Sequence, residues 1–200
     1  MSFSKYKFQK RFLTYVFAIL CLTQLYSSAQ LEQVMLPINA KNKKVTFTFF
    51  HFAANKTVTF TEVKESIGNS VKQTNALASV SASADSKISF QGGKFIFDKS
   101  AAYIIKNSAV SNATKSPRKQ KHTLILTDEK GRHAIGYTPN VTEKELGYAL
   151  KKYLTSSNVK FTSAVIINSG NQSGFYKKNG KYNPYYLKEL KKPAKAIIVK

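Results

Sequence analysis

The chain has 200 residues, 42% of them apolar, with 32 Lys plus Arg against 10 Asp plus Glu for a formal net charge of +22, and a single cysteine. That length fits one ordinary domain, and a lone Cys21 excludes a disulfide framework, so folding rests on a hydrophobic core. The charge attracts anionic partners without choosing among them. The lysines are scattered, and no nucleic-acid-binding motif is present, so no nucleic-acid partner is expected.

Lys5, Lys7, Lys10 and Arg11 precede an apolar run over residues 12–26, and Ser27, Ser28 and Ala29 offer a small-residue cleavage site. This pattern predicts a secretory signal peptide over residues 1–29 and a secreted or periplasmic product. Thr14, Thr23 and Gln24 interrupt the run, which falls short of the ~20 apolar residues of a membrane span, so no stable membrane insertion is expected after cleavage. Leu20 before Cys21 disfavours a lipid-modified cysteine. Loss of those four basic residues and of no acidic one takes the charge from +22 to +18 and leaves Arg118 and Arg132 as the remaining arginines. Lysine therefore dominates, although arginine is the better bidentate phosphate ligand.

Residues 30–44 read as an irregular leader and residues 45–200 as the domain. Val45, Phe47 and Phe49 alternate with Thr46, Thr48 and Phe50, and Val58 and Phe60 alternate with threonines, which predicts a hairpin across residues 53–56. Val63, Ile67 and Val71 have helical spacing weakened by Gly68 and Asn69. Small and apolar residues alternate with serines over 76–84. Residues 87–90 and 94–97 flank Gln91-Gly92-Gly93 as a second hairpin. A short strand at 103–105 leads into a polar connection over 107–120.

Residues 123–127 and 132–137 predict a strand pair about the turn Asp128-Glu129-Lys130-Gly131, with glycine where φ is positive. Thr142 and Glu145 fit a capping box, and Leu146, Ala149, Leu150, Tyr153 and Leu154 form one apolar stripe, so a helix is expected over about 142–156. Ala164, Val165, Ile166 and Ile167 read as a strand covered on both faces. It stops at Asn168-Ser169-Gly170-Asn171-Gln172-Ser173, a loop suited to close approach of backbone to a ligand. An aromatic strand and a final strand at 196–199 follow. The expected fold is α+β, a single domain with a mixed twisted sheet and one main amphipathic helix packed on it.

This order of strand, turn, strand, capped helix, apolar strand, small polar loop and aromatic strand over residues 118–200 resembles the C-terminal half of the phosphodiester glycosidase domain. That family includes the enzyme that uncovers mannose-6-phosphate by removing a covering N-acetylglucosamine. Lys121-His122-Thr123-Leu124 occupies the position of the family's Arg-Thr-Ala-Ile-Gly strand, residues 145–154 its helix, and the loop from Asn168 its Asp-Gly-Gly-Gly-Ser segment. Asn179-Gly180-Lys181-Tyr182 matches the hairpin after it, and Lys192-Pro193-Ala194-Lys195 leads into the last strand. The resemblance implies a hydrolase of sugar phosphodiesters with Lys121, His122, Asn168, Ser169, Gly170, Asn171, Gln172 and Ser173 holding an anionic or phosphorylated glycan. Two departures bear on catalysis. Asn168 stands in place of the family's aspartate and cannot act as an anionic base, and Lys121 or His122 replaces its arginine. Asp85 is the one candidate acid where an upstream family segment should fall.

Other chemistry is sparse. Asp128, Glu129, Glu143 and Glu145 have turn and capping duties, and Glu62, Glu65, Asp85 and Asp98 show no pairing pattern. His51, His122 and His133 lack metal-motif spacing, so no metal site is expected and no cofactor is specified. Asn55, Asn112, Asn140 and Asn171 match the short glycosylation pattern, and Tyr176, Tyr182, Tyr185 and Tyr186 suit either sugar stacking or strand packing. From another class, the alternative is a non-catalytic secreted module that binds an anionic glycan through its basic surface.

Overall fold

The computed structural model describes residues 29–72, 74–111, 116–156, 160–180 and 182–200. Apart from Ala29, the expected signal peptide lies outside the described residues, as does Asn112. No helix among the described residues is long and apolar enough to cross a membrane.

Two antiparallel sheets carry the molecule. The first has seven strands, β1 (Gln30–Pro37), β2 (Lys44–Phe52), β7 (Ala102–Lys106), β8 (Ala109–Val110), β9 (Gln120–Asp128), β10 (His133–Val141) and β11 (Phe161–Ser169), in the order β1-β2-β10-β9-β11-β7-β8. The second has five, β3 (Val58–Glu62), β4 (Ala78–Ala82), β12 (Phe175–Asn179), β13 (Tyr182–Leu187) and β14 (Lys195–Val199), in the order β13-β12-β4-β14-β3. A separate hairpin pairs β5 (Ile88–Gln91) with β6 (Lys94–Phe97). Helix α1 spans Ile67–Lys72 and helix α2 Glu143–Ser156.

Strand alternation explains the layering. In β2, Phe47 and Phe49 join Leu124 and Leu126 of β9 beneath Leu146, Ala149, Leu150 and Tyr153 of α2. Phe50 and Phe52 point the other way, with Ile125, Ile135, Val165 and Ile167, onto Val80, Phe175, Ile197 and Val199 of the second sheet. The outer face of that sheet, with Ala196 and Ile198, is covered by Ile67 and Val71 of α1. The order is therefore helix, sheet, sheet, helix. Strands near the middle of both sheets are buried on both faces, which is why β11 and β14 carry nearly continuous apolar runs.

Several expectations hold. Thr142 and Glu145 form the capping box, Glu145 N–H donating to Thr142 Oγ1 at 3.1 Å and Thr142 N–H to Glu145 Oε2 at 2.8 Å. Gly92 and Gly93 turn β5 into β6 with φ of 55° and 73°, the left-handed values that a two-residue hairpin needs.

Others are corrected. The single mixed sheet is instead two packed sheets, and every strand pairing among the described residues is antiparallel. The molecule is richer in strand than the expected α+β layout, though α2 is the one long helix among the described residues. The expected irregular leader carries β1, in register with β2 from Gln30 opposite His51 to Pro37 opposite Lys44. The first predicted hairpin does not form: β2 pairs β1 and β10, whereas β3 crosses to the second sheet and pairs β14. Local alternation was read correctly, but strand partners are chosen by long-range burial that a local pattern does not encode.

Candidate functional site

A cleft of about 360 Å³ opens where β11 ends. Its walls are the β4–β5 connection with Ser83, Asp85, Ser86 and Lys87, the β6–β7 connection with Asp98 and Ser100, and residues 165–169 of β11. The β5–β6 hairpin assembles this wall. Ile88 opposes Phe97 at its base, and one step further Asp98 N–H donates to Lys87 O at 3.2 Å. Thirteen residues of separation thus become one neighbourhood holding Asp85, Lys87 and Asp98.

Short polar links fix the wall to β11. Ser86 Oγ donates to Ile167 O at 2.8 Å, Ser83 N–H donates to the same carbonyl at 3.0 Å, and the Ser83 and Ser86 hydroxyls are 2.8 Å apart. Asp98 Oδ1 accepts from Ser100 N–H at 2.9 Å and Ser100 Oγ at 2.7 Å. These bonds to Ser100, with the Lys87 charge assisting, hold the exposed Asp98 carboxyl below its ordinary pKa.

Of the eight site residues inferred from sequence, Asn168 and Ser169 line the cleft, and the other six do not. Asn168 is 5% exposed, and its amide is fully committed inside the protein. Its Nδ2 donates to Ser81 Oγ and to Gln172 O, both at 3.1 Å, and its Oδ1 accepts from Ser169 N–H at 2.9 Å. A carboxylate offers no donors for the first two bonds. This geometry gives a local reason for asparagine where the resemblance led to an aspartate.

The rest of the loop folds back on its own support. Gly170 has φ of 79° and starts a single 3₁₀ turn, Gly170–Gln172. Asn171 O accepts from Leu190 N–H and Lys191 N–H, both at 2.8 Å, and Gln172 Nε2 donates to Lys192 O at 3.1 Å. Ser173 is buried and donates to Lys121 O at 3.3 Å. Lys121 is half-buried on β9, outside the cleft wall.

His122 is buried beside the cleft, behind Ser169. Its Nδ1 lies 2.8 Å from Ser169 Oγ and its Nε2 lies 3.2 Å from Val141 O. A carbonyl accepts only, so in the neutral ring Nε2 carries the hydrogen and Nδ1 accepts from the serine. Burial pushes this imidazole below the ordinary histidine pKa, which keeps it neutral near pH 7.

His133 has a different place. Its Nε2 meets Gly93 O at 2.8 Å and its Nδ1 meets Thr127 Oγ1 at 3.1 Å, within a cage formed by Phe52, Phe90 and Phe95. It pins the β5–β6 hairpin to the first sheet. His51 pairs with Glu32 at 2.8 Å. Among the described residues no group of three or more His, Cys, Asp or Glu is placed to hold a metal ion. Tyr176 and Tyr186 contact each other edge to face, Tyr185 does the same with Phe175, and Tyr182 is 81% exposed.

Sequence reasoning missed the pairing of Asp98 with Lys87 and the serine cluster. The signal was present in the second hairpin: once residues 88 and 97 are taken as partners, residues 87 and 98 fall side by side.

No family model matches the chain, and no curated protein matches it by sequence. Among solved structures it is similar to the catalytic domain of zebrafish N-acetylglucosamine-1-phosphodiester alpha-N-acetylglucosaminidase, auto-inhibited by pro-peptide. The match covers 86% of this chain and 82% of that one, with a TM-score of 0.58 and 7% sequence identity. At that identity the likeness is one of fold. It extends well beyond residues 118–200, on which the sequence resemblance rests.

Proposed function

We propose that the chain is a secreted, phosphodiester glycosidase-like protein whose cleft at the end of β11 takes a sugar linked through phosphate. The observation that carries this reading is the convergence of Asp85, Lys87 and Asp98 on one cleft with Asn168 and Ser169, within a fold like that of a phosphodiester glycosidase catalytic domain. Lys87 supplies a point charge for the phosphate. Asp98, kept anionic by Ser100, balances positive charge developing on the sugar ring, and Asp85, the second carboxyl of the cleft, hands a proton to the departing oxygen. The net charge of the chain draws the anionic substrate in.

The test is release of the chromophore from a chromogenic N-acetylglucosamine phosphodiester. Turnover by the wild type that falls about 100-fold in Asp85→Asn and in Asp98→Asn, the scale of a lost acid or base group, supports the reading. The non-catalytic alternative draws on one observation, the carboxamide of Asn168 at the strand end with all its polar atoms engaged internally. Under that reading the protein shows no turnover and binds an anionic glycan with an affinity that drops as salt is added.

A further inference from the structure

We propose that Ser169 and His122 form a nucleophile and base pair opening into the cleft, with Ser169 Oγ attacking the phosphorus of an ester bound there. The choice of a phosphorus ester rests on the anionic occupant assigned above, but the bond cleaved is P–O and not the glycosidic C–O, so this is a second reaction of the same cleft; the pairing itself rests on geometry alone.

Three features support it. The serine hydroxyl lies 2.8 Å from His122 Nδ1, within the reach required of a nucleophile and its base. The other ring nitrogen is held by Val141 O at 3.2 Å, which sets the tautomer and leaves Nδ1 as the acceptor. The pair is also braced from both sides. Asn168 Oδ1 takes the Ser169 N–H at 2.9 Å, and Thr138 Oγ1 takes the His122 N–H at 3.0 Å, so neither backbone can swing away. Ser169 lines the cleft while His122 is fully buried, so solvent does not compete for Nδ1.

The step balances as follows. The Oγ–P bond forms while the P–O bond to the leaving alcohol breaks, and the serine proton passes to Nδ1 and from there to the departing oxygen. Water then attacks the phosphorus held on Ser169, its proton passing to Nδ1 and from there to Oγ as the Oγ–P bond breaks, which releases the remaining phosphate monoester and restores Ser169. When His122 carries both protons, its Nε2–H bond to Val141 O persists, so the charged ring keeps one partner.

The probe is a biotinylated fluorophosphonate, whose phosphorus needs only an activated serine and no sugar. The purified chain is incubated with it, and the adduct is located by peptide mass spectrometry. The expected result is a single label on Ser169 in the folded protein, absent in Ser169→Ala and at least about 100-fold slower in His122→Gln. Should His122→Gln fail to fold, the wild type decides: its labelling must vanish when the chain is unfolded in guanidinium. A folded wild type left unlabelled under conditions that fully label chymotrypsin overturns the proposal. So does label placed on other serines while Ser169 stays bare, or an equal rate in folded His122→Gln. Labelling of Ser169 without turnover of the sugar phosphodiester leaves the dyad standing and removes the functional reading above it.

Discussion

Replacing Asn168 with aspartate changes one atom type and separates a structural role from a catalytic one. In the folded protein the two Nδ2 hydrogens go to Ser81 Oγ and Gln172 O, each at 3.1 Å, and the residue is 5% exposed. Aspartate loses both bonds, at about 0.5–1.5 kcal/mol each, sets a carboxylate oxygen against the Gln172 carbonyl, and buries a charge. The sum is about 3 kcal/mol at pH 7.5, a fall in Tm of about 6–12 °C for a chain of this size. The sign of the pH dependence follows from the same burial. In Asn168→Asp the folded-state pKa of the introduced carboxyl rises above the unfolded value of about 3.9, so the native state binds more protons than the unfolded one, and the deficit shrinks as pH falls through the folded value. Asn168→Ala loses the same donors without a charge, and its deficit stays level with pH. Urea unfolding of both variants at pH 7.5 and pH 4.5 reads the difference. An Asn168→Asp protein within about 0.5 kcal/mol of the wild type at pH 7.5, less than one lost hydrogen bond, would refute the reasoning that donors dictate this residue. A deficit that ignores pH would refute it equally.

Other perturbations follow from single contacts. Glu145→Ala and Thr142→Ala each remove half of the capping box and should cost about 1 kcal/mol in urea unfolding, with the double variant losing less than the sum because either half depends on the other. Gly136→Ala puts a Cβ 2.9 Å from Phe49 Cδ1, on a ring that is fully buried and stacked on Tyr153 at 5.5 Å. The ring has nowhere to retreat, so a loss of about 1–3 kcal/mol is expected. Burial lowers the pKa of both His122 and His133. Their neutral forms contribute stability in full above the unfolded value of about 6.5, and that contribution declines as pH falls towards the folded values. Unfolding free energies should therefore drop between pH 7.5 and pH 5, and His133→Asn should flatten part of that slope.

The elements that sequence made legible are those whose information is local. The capping box, the stripe on α2 and the glycine pair at residues 92 and 93 each place a few adjacent residues under one steric or hydrogen-bonding rule, and each forms as expected. The errors share one origin. β1 is partly exposed along most of its length, Gln30–Pro37, and carries weak alternation as an edge strand paired to one neighbour, β2. β2 and β3 alternate well, yet the hairpin expected between them would have closed one sheet where the chain builds two. Phe50 and Phe52 must face Val80 and Ile197, and only a crossover lets β3 reach β14. Apolar content on both faces of β2 was the available sign that a second layer covers it.

The site was half legible for a related reason. Ser81 joins the two sheets at the cleft end: its Oγ accepts from Asn168 Nδ2 and from Gly174 N–H at 3.0 Å, and its carbonyl accepts from Thr123 Oγ1 at 2.8 Å. The polar loop after Ile167 is therefore spent on stitching β11 to β4 and β12, and among the described residues no buried side-chain nitrogen or oxygen lacks a partner. Groups already satisfied inside a low-dielectric seam gain little by turning to a ligand. The cleft rim is left to Ser169 from the loop, and to Asp85, Lys87 and Asp98 from connections whose sequence showed no motif. Loop composition singled out the strand end beside which the cleft opens, and long-range hydrogen bonding holds most of that loop's residues inside the fold.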